Sequence, residues 1–263
     1  TTFYDATGAL RDMMQSHILQ TLTLTTMEKP KSFSPNDVRD EKVKLLNQIK
    51  PVPINNFEKH VFRAQYTAGT ISNEGEVKGY LEELGQDSNV ETYAAVKFFI
   101  DNDRWKDVPI YLRTAKRLHE NATYISVKLK PTTTPSGEIN DNWIIISIQP
   151  KESIHIEMNT KVPGLDDTKS RKIQLDGGIR FEGDETIDSY ETLLLDLIEG
   201  NQSRFLHIDE VKAQWKLIDP IIEKWQDTSV PVHCYPAGSK DPVDSKIIFE
   251  NSDQFWRSSI NIE

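Results

Sequence analysis

The chain has 263 residues, 37% of them hydrophobic and 27% charged, with a formal net charge of −10. That balance describes a globular protein of one large domain or two small ones and excludes a disordered one. The acidic surplus argues against a nucleic-acid partner, yet it leaves room for an anionic small molecule in a local basic pocket. The single cysteine, Cys234, allows no intrachain disulfide and points to a reducing compartment. No apolar run is long enough to cross a bilayer, and no signal-peptide pattern opens the sequence. The expectation is therefore a cytoplasmic protein with neither membrane nor nucleic acid as partner. The opening TTFYDATGALRD lacks an initiator methionine and enters a helix almost at once, which reads as a piece of a longer chain.

In chain order, residues 7–28 are the first predicted helix. Thr7 or Asp5 serves as its cap, and Leu10, Met14, Ile18 and Leu22 form one apolar stripe. A second helix follows Pro30, with Ser34 as cap and Pro35 at the first helical position. After the breaker KPVPINN the period changes to that of strands. Strands are expected from His60, from Glu91, over Pro109 to Arg113, and in TYISVKLKP, NWIIISIQP, SIHIEMNTKVPG and SRKIQLD. In SIHIEMNTKVPG, Ile154 and Ile156 share a face. GYLEELGQDSNV reads as loop with at most a turn of helix. Two helices then close the pattern. The first has Asp188 as cap and Gly200 as stop; the second is capped by Asp209, with Pro220 bending or splitting it. The tail VPVHCYPAGSKDPVDS is expected to be irregular.

Helices, then strands in succession, then helices predict an α+β fold. Its core would be a large, mostly antiparallel or mixed sheet with helices packed on one face. No strand leads into G-x-G-x-x-G, so no Rossmann domain is expected in this chain. The six histidines show no metal-ligand spacing, and no metal is expected.

Three constellations carry possible chemistry. His17, in the first helix, is either a histidine satisfied by a neighbour or a general base, a task for which imidazole suits because it titrates near working pH. Asp12 precedes it by five positions, about 140° away on a regular α-helix, too far round for direct pairing, although the two could line two sides of one pocket if Asp12 sits in an irregular first turn. The segment YLRTAKRLHEN gathers Arg113, Lys116, Arg117 and His119. It is either a solvated basic turn or an anion site at a strand end. Gln149 ends a strand, where its amide is either simple polar punctuation or a partner for a sugar hydroxyl.

The blocks YDATGALRDMMQSHILQ, MEKP, VRDEKVKLL, GYLEE, VPIYLRTAKRL, SIQP, NTKVPG, SYETLLLDLIEGNQSRF, DEVKAQW and YPAGSKDP, in that order, resemble glucose-6-phosphate dehydrogenase from the first residue almost to the last. The resemblance implies that residues 1–263 are the family's C-terminal sugar-phosphate-binding and dimerisation domain. That domain would here lack its first part, the N-terminal NADP-binding domain and the family's RIDHYLGKE-type segment. The implied activity is NADP-dependent oxidation of glucose 6-phosphate to 6-phosphogluconolactone, in the oxidative pentose phosphate pathway, by a homodimer or tetramer. His17 would be the general base, Asp12 and Lys116 would contact the sugar phosphate, and Gln149 would contact the sugar. NADP would be bound mainly by a domain outside this chain, so the chain alone is expected to be inactive. Two departures stand out. Many relatives have a basic residue where Asn121 stands, and Ser147 replaces an arginine of a second, structural NADP site, although Lys161 matches a basic position there. The rival reading is a non-catalytic sugar-phosphate-binding or dimerisation module. The gene upstream of Thr1 discriminates the two.

Overall fold

The computed structural model describes residues 2–133, 139–164, 170–178, 189–202, 204–227 and 229–258. They form two compact units: Thr1–His119 with Ile187–Phe255, and Glu120–Thr186 with Trp256–Glu263. Nothing in the composition marks that division.

The first unit opens with a helical segment in three parts: α1 (Thr2–Ala9), a π-helical stretch (Leu10–Ile18) and α2 (Leu19–Thr26). The predicted start near Thr7 gives way to an earlier one. Asp5 is not a cap; its carboxylate accepts the Tyr80 hydroxyl at 2.8 Å and the Ser88 hydroxyl. The predicted stripe survives the change of winding: Leu10, Met14 and Leu22 are buried and Ile18 packs against the same core. Helix α3 (Pro35–Gln48) starts as expected, with the Ser34 hydroxyl accepting the Asp37 N–H at 3.3 Å and Pro35 leading.

Strands β1 (Val61–Thr67), β4 (Tyr93–Phe98) and β5 (Ile110–Ala115) follow, with a small hairpin of β2 (Gly69–Ile71) and β3 (Gly75–Val77) and the short helix α4 (Tyr80–Leu84) between β1 and β4. The second unit holds β6 (Thr123–Lys128), β7 (Thr132–Thr133), β8 (Ile139–Asn140), β9 (Trp143–Gln149), β10 (Ser153–Lys161) and β11 (Ser170–Gly178). The chain then returns to the first unit with α5 (Ser189–Glu199), α6 (Ile208–Trp225) and β12 (His233–Pro236).

The longer strands make two four-stranded sheets, ordered β12–β1–β4–β5 and β11–β10–β9–β6. The first is mixed, because β12 runs parallel to β1; the second is antiparallel throughout. The α+β class therefore holds. The irregular tail does not: residues 233–236 are a strand. Pro236 disguises it, and an edge position tolerates that proline because one side of the strand makes no ladder bonds.

On one face of the first sheet, Val61, Ala94, Val96 and Phe98 pack with Leu10, Met14 and Leu19 of the opening helix, Leu45 and Leu46 of α3, and Leu217, Ile218 and Ile221 of α6. The other face carries aromatic rings in edge contact: Phe62 with Tyr93, Tyr66 with Tyr235, and Tyr93 with Tyr235. With both faces covered, β1 and β4 lose the polar-out alternation of a half-exposed strand. Arg63, buried in β1, is satisfied by the carbonyls of Trp225 at 3.0 Å and Val230 at 2.7 Å.

Helix α6 departs from expectation twice. Its cap is His207, whose Nδ1 accepts the Asp209 N–H at 3.2 Å, while Glu210 accepts the His207 N–H at 3.4 Å. A ring nitrogen accepts as a carboxylate does, so the helix starts one residue before the predicted cap. Pro220 lies inside one continuous helix and does not split it. Gly200, with φ of 70°, ends α5 as predicted; Asp188 lies outside the described residues.

Candidate active site

The π-helical stretch is the site's foundation. The Leu19 N–H reaches back five residues to the Met14 carbonyl. Such i→i+5 winding is rare and concentrates at functional sites. It also changes the relation of Asp12 to His17. Residues five apart, about 140° apart on an α-helix, lie closer in direction when each turn takes up more residues. The α-helical angle used for the sequence spacing therefore does not apply to Asp12 and His17, which both lie within the π-helical stretch. His17 is exposed and Asp12 is half-buried, so the imidazole is open to solvent and not sealed in the core.

Lys116 follows the last residue of β5. Its N–H donates to the Thr92 carbonyl at 2.9 Å, and its own carbonyl accepts the Tyr235 hydroxyl at 2.7 Å. Backbone bonds on both sides hold the residue while leaving the ammonium free to move. That ammonium lies 3.7 Å from the Asp12 carboxylate and 4.9 Å from the centre of the Tyr4 ring. The ion pair is loose and partly solvated, so it contributes little to stability. Its partners can exchange one another for a ligand at low cost.

The rest of the basic cluster disperses. Arg113 pairs with Asp241, and Arg117 with Glu74 and Glu83. The His119 N–H donates to the Ser239 carbonyl at 3.0 Å. Of the four residues that sequence proximity grouped, Lys116 is the one drawn to Asp12. Gln149 is exposed at the end of β9, paired with Thr123 in the second unit. Asn121 is likewise exposed.

Two residues that the sequence reading passed over stand at this site. Tyr4 lies beneath the Lys116 ammonium; burial first, then the nearby Glu91 carboxylate, push its phenol far above the ordinary range, so it stays protonated. Glu91 was read only as a strand start. It is buried, and its Oε1 accepts the Leu10 N–H at 2.9 Å. Burial raises its pKa, against the lowering effect of that hydrogen bond. A single carboxylate in a strand pattern gives no sign of such a role; the nearest signal is Gly8 in the opening helix.

A second arrangement looks like chemistry and is not. Ser153 Oγ lies 2.7 Å from His155 Nε2, and His155 Nδ1 lies 2.6 Å from the Asp176 carboxylate. The order of groups is that of a nucleophilic triad. Ser153 is fully buried, however, so no acyl group reaches it, and the chain of contacts ties β10 to β11.

A dinucleotide finds no cradle among the described residues. The parallel pair β1 and β12 is not joined by a β–α–β crossover with a glycine-rich turn, so the described residues do not form a Rossmann-type site for NADP.

Comparison with known proteins places this geometry in a family. The model of the glucose-6-phosphate dehydrogenase C-terminal domain matches residues 1–257. A glucose-6-phosphate 1-dehydrogenase of Gluconobacter oxydans is 41% identical over 260 residues, covering 98% of this chain and 53% of that protein. One of Rhizobium meliloti is also 41% identical, over 265 residues, covering 98% of this chain and 54% of that protein. A solved structure of glucose-6-phosphate dehydrogenase in complex with its substrate glucose 6-phosphate superposes with a TM-score of 0.84 at 32% identity, covering 97% of this chain and 52% of that one. The chain thus spans about half the length of the relatives it matches. The match over residues 1–257 and the shared fold establish that this chain belongs to the glucose-6-phosphate dehydrogenase C-terminal domain family.

Proposed function

We propose that this chain is the sugar-phosphate half of an NADP-dependent glucose-6-phosphate 1-dehydrogenase, acting in the oxidative pentose phosphate pathway of the cytoplasm. The observation that carries the reading is the Asp12–Lys116 pair, 3.7 Å apart and partly solvated, in which Asp12 shares its π-helical stretch with an exposed His17. Lys116 binds the anionic substrate with its mobile ammonium, and Asp12 accepts hydrogen bonds from sugar hydroxyls. An imidazole nitrogen of His17 takes the proton of the C1 hydroxyl as the C1–H bond breaks and the lactone carbonyl forms. NADP, which residues outside this chain would hold, would supply the hydride acceptor. Gln149 is proposed as a further sugar contact. The test is oxidation of glucose 6-phosphate by the full-length gene product. Reduction of NADP at rates typical of enzymes is expected, and its absence refutes the reading.

The purified 263-residue chain, by contrast, should reduce no NADP, because the described residues offer the dinucleotide no cradle. Measurable reduction above buffer would overturn the proposed division of labour.

The functional unit is proposed to be a homodimer or an assembly built from dimers. Support comes from an inversion in the second sheet. Along β10 the polar Ser153, His155 and Glu157 are buried, while Ile154, Ile156 and Met158 are 43%, 36% and 38% exposed. Ile156 stands opposite Leu175 on β11 and Ile144 on β9, which widens the apolar face across three strands. A monomer rarely leaves such a face to water. Ile156→Glu is expected to give a monomer by analytical ultracentrifugation, with an unchanged circular dichroism spectrum. A dimer of undiminished affinity would remove this face from the interface.

A further inference from the structure

Gly8 has φ of 74° and ψ of 167°, which breaks the helical run just before the π-helical stretch. The break leaves the N–H groups of Ala9 and Leu10 without a partner in their own helix. Glu91 takes both. Its backbone carbonyl accepts the Ala9 N–H at 3.0 Å, and its Oε1 accepts the Leu10 N–H at 2.9 Å. The fit is close: a Cβ on Gly8 would stand 2.5 Å from that Oε1. Only a residue without a side chain, tolerant of positive φ, lets the carboxylate approach.

The neighbouring Thr92 anchors the other limb of the site. Its carbonyl accepts the Lys116 N–H at 2.9 Å, and its hydroxyl accepts the Tyr66 N–H at 3.0 Å. The Tyr235 hydroxyl lies 3.0 Å from the Thr92 hydroxyl and donates to the Lys116 carbonyl. Asp12 is two residues beyond Leu10. Both members of the Asp12–Lys116 pair are thus tied, through short backbone paths, to one buried dipeptide.

We propose that Glu91 is a positioning residue for catalysis: with Gly8 it sets the phase at which the π-helical stretch begins, and so aims Asp12 and His17 at the space beside Lys116. This rests on the reading of those three side chains given under the proposed function. The carboxylate suits the task because it meets the orphan Leu10 N–H at a helical N-terminus, where the backbone dipoles favour negative charge, while the backbone carbonyl of the same residue takes the Ala9 N–H. It also sits deep enough to leave the leading residues one angular setting. Glu91 touches neither substrate nor cofactor in this account; it acts through Leu10.

The test uses the full-length gene product and three variants. Glu91→Ala removes the acceptor and should lower kcat for glucose 6-phosphate by about 10²-fold, the scale of a displacement of about 1 Å in a catalytic group. The KM for the nucleotide should not move. Gly8→Ala, which pushes the carboxylate aside, should give the same pattern. Glu91→Gln keeps an oxygen for the Leu10 N–H and should recover kcat to within about tenfold of the parent. Hydrogen exchange provides the independent readout: in Glu91→Ala the amides of Leu10, Arg11 and Asp12 should exchange at least about tenfold faster, while those of α6 remain protected. If Glu91→Ala retains both the parental kcat and the parental protection of Leu10, the proposal is wrong. It is also wrong if Glu91→Gln is as impaired as Glu91→Ala, since the acceptor would then not be what matters. If the parent oxidises no glucose 6-phosphate, the functional reading fails instead. Exchange at Leu10 to Asp12 then decides the positioning role by itself.

Discussion

Replacing His17 with glutamine in the full-length gene product lowers kcat for glucose 6-phosphate oxidation by about 10²–10⁴-fold, with sugar-phosphate affinity changed by no more than a few-fold. The asymmetry follows from the geometry. Binding of the substrate is assigned to Lys116 and Asp12, which lie 3.7 Å apart and do not depend on the imidazole for their position. His17 is exposed at the far end of the π-helical stretch, and glutamine preserves its size and some of its hydrogen bonding. What glutamine cannot do is accept a proton as the C1 hydroxyl loses it, so the loss falls on the transition state and leaves ground-state binding alone. Steady-state kinetics at saturating nucleotide, with a separate equilibrium titration of the sugar phosphate, measures both quantities. Unchanged turnover in the glutamine variant would remove His17 from the mechanism. A loss confined to affinity would make it a binding residue.

The largest effect on folding is expected at Lys42. Its ammonium lies 3.0 Å from the Glu210 carboxylate, and the two side chains are 3% and 0% exposed. Gln20 completes the group. With its amide turned so that both ends are satisfied, its oxygen accepts from Lys42 at 2.8 Å and its nitrogen donates to Glu210 at 3.3 Å. Three helices, α2, α3 and α6, meet in this one polar knot. A buried ion pair adds little net stability, because desolvation offsets the attraction. Breaking one is costly, since the survivor is left charged and unpaired. Lys42→Met should therefore destabilise by about 3–5 kcal/mol, seen as a lower denaturation midpoint with an unchanged m-value. The double variant Lys42→Met with Glu210→Gln should recover most of that loss, because glutamine carries no charge and still reaches the His207 N–H. A loss below about 1 kcal/mol in Lys42→Met would mean that Glu210 finds water or another cation once its partner is gone. Failure of the double variant to recover would mean that packing, not charge, dominates the site.

Much of this fold is visible in the linear pattern. The start of α3 is written in Ser34 and Pro35 because the serine hydroxyl and the proline ring act on the next few residues only. The stop of α5 is written in Gly200, whose left-handed backbone is a local property. The strands of the second sheet announce themselves by β-branched residues in NWIIISIQP and by alternation in SIHIEMNTKVPG, and that Ile154 and Ile156 share a face follows from that alternation, whereas the exposure of that face does not. The site residues were reached from the sequence through family likeness. Spacing alone left His17 undecided and counted against its pairing with Asp12.

The rest depends on partners far along the chain. Residues 233–236 become a strand only because β1 offers its edge, some 170 residues earlier in sequence. Glu91 is a strand-flanking residue in sequence and a helix-start acceptor in space, 81 residues from the N–H it receives. Arg113 and Arg117 look equal to Lys116 until the folded chain brings Asp241, Glu74 and Glu83 to them. The winding of Leu10–Ile18 belongs in the same group. Amphipathic spacing asks for a helix, but α- and π-helical geometry satisfy the same apolar stripe. What the sequence determined by itself was composition, the Ser34 cap, the Gly200 stop, periodicity and family, all carried by residues within a turn or two of one another or by whole-chain likeness. Tertiary structure alone decided the phase of the opening helix, the partner of each cation and the sheet membership of the tail. Each of these is set by a hydrogen bond or ion pair whose second half arrives from a distant segment, and no local pattern encodes that encounter.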